Sequence, residues 1–202
     1  MPGNPSGYNR LDVIRCFLLL KEQRSRGYLT SELALGEGSV RGILELLIEQ
    51  KLIIPTNKGH IQSGKGKKEQ QCLEQEVRIF PQRVDKQFLM AFFPLYITDT
   101  IACAQVLSHI KGIEKTYVLR DTAVRSGADG CLILASRGKR LSFFEENRPF
   151  DLSPIGKLFP FRDDVNDGVV IVTIGTTRDI ALKSCLAVID VIGDAFQFIR
   201  HE

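Results

Sequence analysis

Between Leu29 and Ile53 the chain reads LTSELALGEGSVRGILELLIEQKLI, two runs of helix-forming residues parted by Gly36-Glu37-Gly38. Helices this short are marginal alone in water, so each must be held by tertiary packing. A glycine-bearing break of this size admits an αα-corner or a helix-turn-helix, in which a short helix braces a longer, outward-facing one.

The flanks favour the second. Leu11, Ile14 and Leu18, with Phe17 off register, recur at helical spacing and predict a first helix from Asn9, its N-cap, to Gln23. Arg24-Ser25-Arg26-Gly27 then reads as its end, with Gly27 at positive φ. Thr30 is the expected N-cap of a short helix Ser31–Leu35, with Leu33 and Ala34 facing inward. The next helix, capped by Gly38 or Ser39, runs to Gln50 on a stripe of Val40, Ile43, Leu44, Leu47 and Ile48. Leu52-Ile53-Ile54, the turn residues Pro55 to Gly59, and His60-Ile61-Gln62 follow as a hairpin. Helix, short helix, turn, helix, hairpin is the order of a winged helix-turn-helix, here spanning Asn9 to Gly66.

Such a unit could carry the N-terminal end of its third helix into a major groove about 12 Å wide. On this reading Ser39, Arg41 and Glu45 reach base edges or phosphates, and Gly38 and Gly42 keep the surface low. Lys58 and His60 lie at the hairpin. Lys65, Lys67 and Lys68 follow on a glycine-bearing segment suited to phosphate contact or to an interdomain linker. Residues 1–70 carry 11 Lys/Arg against 7 Asp/Glu, and residues 71–202 carry 16 against 17, so the positive excess lies wholly in this part. Glu37, Glu45 and Glu49 count against a DNA-facing surface.

Other chemistries find little support. Gly59 to Gly66 (GHIQSGKG) satisfies GxxxxGK, but Gly66 stands where a P-loop needs Ser or Thr for magnesium. The five cysteines and three histidines show no metal-ligand spacing, so buried thiols and no metal or cofactor are expected. No apolar run approaches the roughly 20 residues of a membrane span. The start has neither a basic nor an apolar signal region, and a cytoplasmic location follows as the expectation.

From residue 71 the texture changes, giving domains 1–70 and 71–202. Glu76–Phe80 reads as a strand, Phe88–Tyr96 as an apolar strand or contact segment, and Asp99 as the cap of a helix Thr100–Ile110. Arg120–Ser126 reads as a short helix stopped by Gly127, and Cys131–Ala135 with Arg140–Phe144 as a hairpin. An irregular stretch with Pro149, Pro154 and Pro160 follows. Gly168–Ile174 is a buried strand, and Gly175-Thr176-Thr177 opens a helix Arg178–Ile192. Elements in this order predict an α+β fold, a small antiparallel sheet with two longer helices on one face. Thr176, Thr177 and Arg178 at that helix start, with Arg120 and Arg125, form a candidate anion or ligand site; an ordinary threonine N-cap and an Asp121–Arg125 ion pair are the plainer readings.

The stretches LTSELALGEGSVRGILELLIEQKLI, RDTAVRSGADGCLIL and VVIVTIGTTRDIALKSCLAVIDVIG are similar to an uncharacterised archaeal-type family of two-domain transcription regulators. There a winged helix-turn-helix is joined to an α+β domain likened to the GAD-type domain inserted in some aminoacyl-tRNA synthetases. The resemblance implies an architecture and a regulatory role, with no catalytic residues to carry across. The expected function is thus DNA-binding transcription regulation, with duplex DNA, a small-molecule effector and a second copy of the chain as partners. Dimerisation is expected because one winged helix makes a small interface. An RNA- or translation-related binding module, or an enzyme with an accessory winged helix, are the rival expectations.

Overall fold

The computed structural model describes residues 7–83, 100–107, 113, 115–137, 140–144, 167–192 and 195–200. The chain is α+β and forms two compact units, Met1–Glu74 together with Phe196–Glu202, and Gln75–Ala195.

The first unit contains α1 (Arg10–Leu19), α2 (Arg26–Leu33), α3 (Glu37–Glu49), the hairpin β1 (Ile53–Thr56) and β2 (Gly59–Gln62), and the start of α4 (Gly64–Glu76). Asn9 opens α1 with a reciprocal cap: its side chain accepts from the Asp12 amide, and the Asp12 carboxylate accepts from the Asn9 amide. Val13, Ile14, Phe17 and Leu20 are fully buried, facing Leu29, Leu33, Val40, Ile43 and Leu47, which are at most 3% exposed.

The turn differs from the expected one. α1 stops at Leu19, and α2 begins at Arg26 on a Ser25 cap that accepts from the Tyr28 amide at 3.2 Å. Gly27 therefore lies inside a helix, and Thr30, instead of capping, donates its hydroxyl to the Arg26 carbonyl at 3.0 Å. Ala34, exposed, takes the left-handed conformation (φ 53°) that ends α2. Gly36 is the N-cap of α3 without a side-chain bond, so Gly38 and Ser39 are already helical. The α2 start moves five residues and the α3 start two or three residues earlier than the sequence suggests, because a serine cap and a glycine cap compete with neighbours of similar propensity.

Arg24, between α1 and α2, pairs with β2 as a single antiparallel bridge. Its amide donates to the His60 carbonyl at 3.0 Å and its carbonyl accepts from the His60 amide at 2.8 Å. Gly59 makes this possible: at φ +134° it occupies a region that side-chain-bearing residues rarely adopt, and a Cβ there would lie 2.1 Å from the Arg24 carbonyl oxygen.

The lysine-bearing segment after the hairpin is not a flexible linker. It is the first half of α4, and the expected boundary at residue 70 falls within that helix. Side-chain bonds dock it. Gln62 donates to the Phe17 carbonyl at 3.2 Å and to Gln70 Oε1 at 3.3 Å, Gln70 donates to Glu74 at 3.0 Å, and Lys21 pairs with Glu74 at 2.6 Å. The bonds from Lys21 and Gln70 hold the Glu74 carboxyl below its ordinary range.

The last described residues return to this unit. Phe196 and Ile199 are at most 1% exposed, and Phe198 meets Phe17 edge to face with ring centroids 5.1 Å apart. Arg10 donates to the carbonyls of Ile199 and Phe196, the latter at 3.0 Å. Gln50, at the end of α3, both donates to and accepts from the Arg200 backbone, at 2.6 and 3.0 Å.

The second unit is a five-stranded antiparallel sheet, in the order β3 (Val77–Arg83), β4 (Thr100–Val106), β7 (Asp167–Gly175), β5 (Gly130–Arg137), β6 (Arg140–Phe143). Among the described residues two helices, α5 (Thr116–Arg125) and α6 (Arg178–Ile192), pack on it and on each other. Where a helix Thr100–Ile110 is expected, Thr100–Val106 is instead β4, and residues 108–110 lie outside the described residues. Every residue from Thr100 to Val106 is buried, and Ile101 to Val106 pair in register with Ile174 to Val169. Pairing on both edges outweighs the helical punctuation of Asp99 and Gly112. Thr173 donates to the Ala181 carbonyl at 2.7 Å and locks α6 to the sheet. The expectations for Phe88–Tyr96 and for the Pro149–Pro160 stretch lie outside the described residues.

Phe196→Ala should destabilise the first unit by about 3 kcal/mol, within the range for a fully buried phenylalanine. Urea unfolding followed by circular dichroism checks this; an unchanged midpoint would mean that the returning segment adds little to the core.

Candidate nucleic-acid interface

α3 presents Gly38, Arg41, Glu45, Ile48 and Glu49 to solvent, while Val40, Ile43, Leu44 and Leu47 hold its inner face. Ile48, expected on the inner stripe, is 37% exposed. Two of the residues expected at the DNA-facing surface, Ser39 and Gly42, are engaged by the chain itself. The Ser39 hydroxyl donates to the Gly7 carbonyl at 3.2 Å. A Cβ on Gly42 would meet the Tyr8 ring at 2.9 Å, so the low surface at Gly42 is filled by Tyr8. The open part of the helix carries Arg41 among Glu37, Glu45 and Glu49.

The denser group of cations lies at the wing. The Arg24–His60 bridge places residue 24 beside β2, one turn from the N-terminus of α2. The Arg24 guanidinium sits 4.5 Å above the Tyr28 ring and also bonds Glu22. Arg26 is exposed at the first position of α2, where the helix dipole favours a negative ligand. Arg26 is near enough to His60 that it adds to the effect of burial in lowering the imidazole pKa. Arg24 Nε and His60 Nδ1 are buried atoms without a hydrogen-bond partner among the described residues. Lys58 is exposed at the hairpin tip, between Thr56 and Gly59, which close the turn. Arg24, Arg26 and Tyr28 were not among the sequence candidates. Their signal was present in the Arg24-Ser25-Arg26 run, which reads as a helix end until Ser25 is recognised as a cap.

Lys65, Lys67 and Lys68 sit elsewhere. Lys65 Nζ donates to the Gln50 carbonyl at 3.1 Å, at the C-terminal end of α3. α3 has 13 residues, so this is about 18 Å along the helix from Gly38. Lys67 and Lys68 are exposed on α4, at the base of the hairpin rather than its tip. The expected residues of this unit are thus divided among α3 (Arg41), the hairpin (Lys58 and His60) and the start of α4 (Lys65, Lys67 and Lys68).

In the second unit Thr177 is an N-cap, its hydroxyl accepting from the Ile180 amide at 3.2 Å, and Thr176 and Arg178 are exposed. Arg120 is half-buried near Cys131, and Arg125 is exposed on α5 without an ion pair to Asp121 among the described residues. Burial raises the thiols of Cys16 and Cys131 to about 12, so neither is a nucleophile near neutral pH. Cys103 and Cys185 are buried too, whereas Cys72, expected inside, is exposed on α4. No group of three or more His, Cys, Asp or Glu with metal-site geometry occurs among the described residues. No described helix is long and apolar enough to cross a membrane.

The structure therefore defines a class, a winged-helix unit with an α+β unit inserted before its closing segment. Residues 11–68 match the family described as PH0730-like, N-terminal domain. The chain as a whole is similar to the solved structure titled "Hypothetical protein PH0730 from Pyrococcus horikoshii OT3", with 28% identity, 92% of each chain covered and a TM-score of 0.70. No curated protein matches the chain. These likenesses join it to an archaeal-type two-domain protein, and neither description assigns an activity.

Because the folded state binds the His60 proton less readily than the unfolded chain, His60 costs nothing above pH 6.5 and lowers stability as the pH falls below that value. His60→Gln should remove this loss. Paired urea unfolding curves at pH 7 and pH 5.5 check it, and equal pH slopes for the two proteins would rule it out.

Proposed function

We propose that the chain is a transcription regulator whose winged unit contacts duplex DNA, with the α+β unit serving dimerisation or the binding of a small effector. The observation that carries this reading is the wing-side cluster. Arg24, Arg26 and His60 are brought together by one backbone bridge, and Lys58 extends their reach at the hairpin tip. A phosphate backbone supplies what these groups lack, an anion for the helix N-terminus and acceptors for exposed cations. Arg41 is then the α3 residue placed for a base edge, while Ser39 and Gly42 act through the Gly7-Tyr8 segment that covers them. Lys65, Lys67 and Lys68 belong to a second, more distant basic patch.

The acidic exposed side of α3, with Glu37, Glu45 and Glu49, supports a second reading in which the winged unit docks another protein. Salt dependence separates the two. Phosphate contacts from Arg24, Arg26, Arg41 and Lys58 should give log K against log salt a slope of about −3.6 per protomer. Titration of labelled duplex from the chain's own upstream region at several salt concentrations measures it, and an affinity indifferent to salt contradicts the DNA reading. Arg26→Ala and Lys58→Ala should weaken all sequences alike and each flatten the slope by about one unit, whereas Arg41→Ala should change sequence preference.

A further inference from the structure

α5 buries Thr116, Leu119 and Ala123 against its own unit and turns Tyr117, Val118, Asp121, Val124 and Arg125 outward. At 100° per residue these five cover about 120° of the helix surface, with Asp121 at the centre. Tyr117 and Val124 are each 55% exposed and Val118 is 44% exposed, a dense apolar group for a ten-residue helix. Asp121 and Arg125 stand at i,i+4, where they could pair with each other, yet they form no ion pair among the described residues.

We propose that this face of α5 is the contact between two copies of the chain, packed antiparallel about a twofold axis at Asp121. The residue order is self-complementary under that operation. A twofold rotation carries Tyr117 of one copy onto Val124 of the other and lays Val118 beside the aliphatic stem of Arg125. It also brings two Asp121 carboxylates together at the axis, where each is within reach of the other copy's Arg125. Two acids and two bases then neutralise one another, flanked by aromatic and aliphatic contacts. An isologous interface requires this pattern, the same patch meeting itself. The other charge-compatible occupant, an unrelated helix, would need an apolar surface with the same central pair of charges. One ten-residue helix from each copy makes a small contact, so the association is weak and concentration-dependent. The proposal names the surface for the paired copies that the regulator reading calls for and rests on it to that extent. Its test uses free protein and is independent of DNA.

Sedimentation equilibrium of the full chain over a hundredfold concentration range should show a monomer–dimer equilibrium. Arg125→Glu and Asp121→Arg should each weaken it at least tenfold, by placing four like charges at the axis. The double variant Asp121→Arg/Arg125→Asp should recover the wild-type constant. Circular dichroism verifies folding, since both positions are exposed. A wild-type chain that stays monomeric throughout, single variants that dimerise normally, or a double variant no better than the singles would each overturn the proposal. Salt-dependent DNA binding by a strictly monomeric protein would leave the regulator reading standing and this surface refuted.

Discussion

The winged unit is organised around the exchange of two backbone hydrogen bonds between Arg24 and His60. Residues 20–25 would otherwise be a connector between helices. Pinned to β2, they set the point at which α2 begins, and Ser25 becomes a cap because Arg24 is already fixed. The same bridge sets residues 24 and 60 opposite each other, and a ring nitrogen of His60 and a guanidinium nitrogen of Arg24 are buried without partners among the described residues. A buried polar atom in that state costs on the order of 1–3 kcal/mol. Fold and candidate interface therefore share one cause, and Gly59 is its precondition.

Helix α3 owes its form to a different balance. Four apolar residues hold its inner face, and its outer face is divided between charge and the Gly7-Tyr8 segment. Glycine at position 42 is therefore explained by a tyrosine that comes before it in the chain. A ligand approaching this side meets Tyr8 as well as α3. Cations near the hairpin tip, rather than the helix face itself, dominate the electrostatics of the approach.

Some of this was legible in the residues and some was not. The stripe Val40, Ile43, Leu44 and Leu47 repeats at helical spacing, and the run Val169 to Val172 is apolar without interruption, so α3 and β7 could be read directly. β4 could not. Its residues TIACAQV are small and mixed, its flanks carry a plausible cap and a plausible glycine stop, and only pairing with distant strands makes it extended. α4 was hidden for another reason. It buries little beyond Gly66, Gln70 and Leu73 and is fastened by side-chain hydrogen bonds, so no apolar period announces it. At the interface, Lys58 and Arg41 were visible as exposed cations, but the grouping of Arg24 and Arg26 with His60 depends on a single bridge between residues 36 apart in sequence, a relation that local pattern does not contain.

The return of residues 196–200 to the first unit also bears on how the protein is made. Phe17 and Arg10 leave the ribosome early, yet their partners Phe198, Phe196 and Ile199 emerge only after the whole α+β unit has been translated. At about 5–20 residues per second, that interval is on the order of ten seconds or more. Throughout it the nascent winged unit lacks these apolar partners, and its completion waits for residues 196–200.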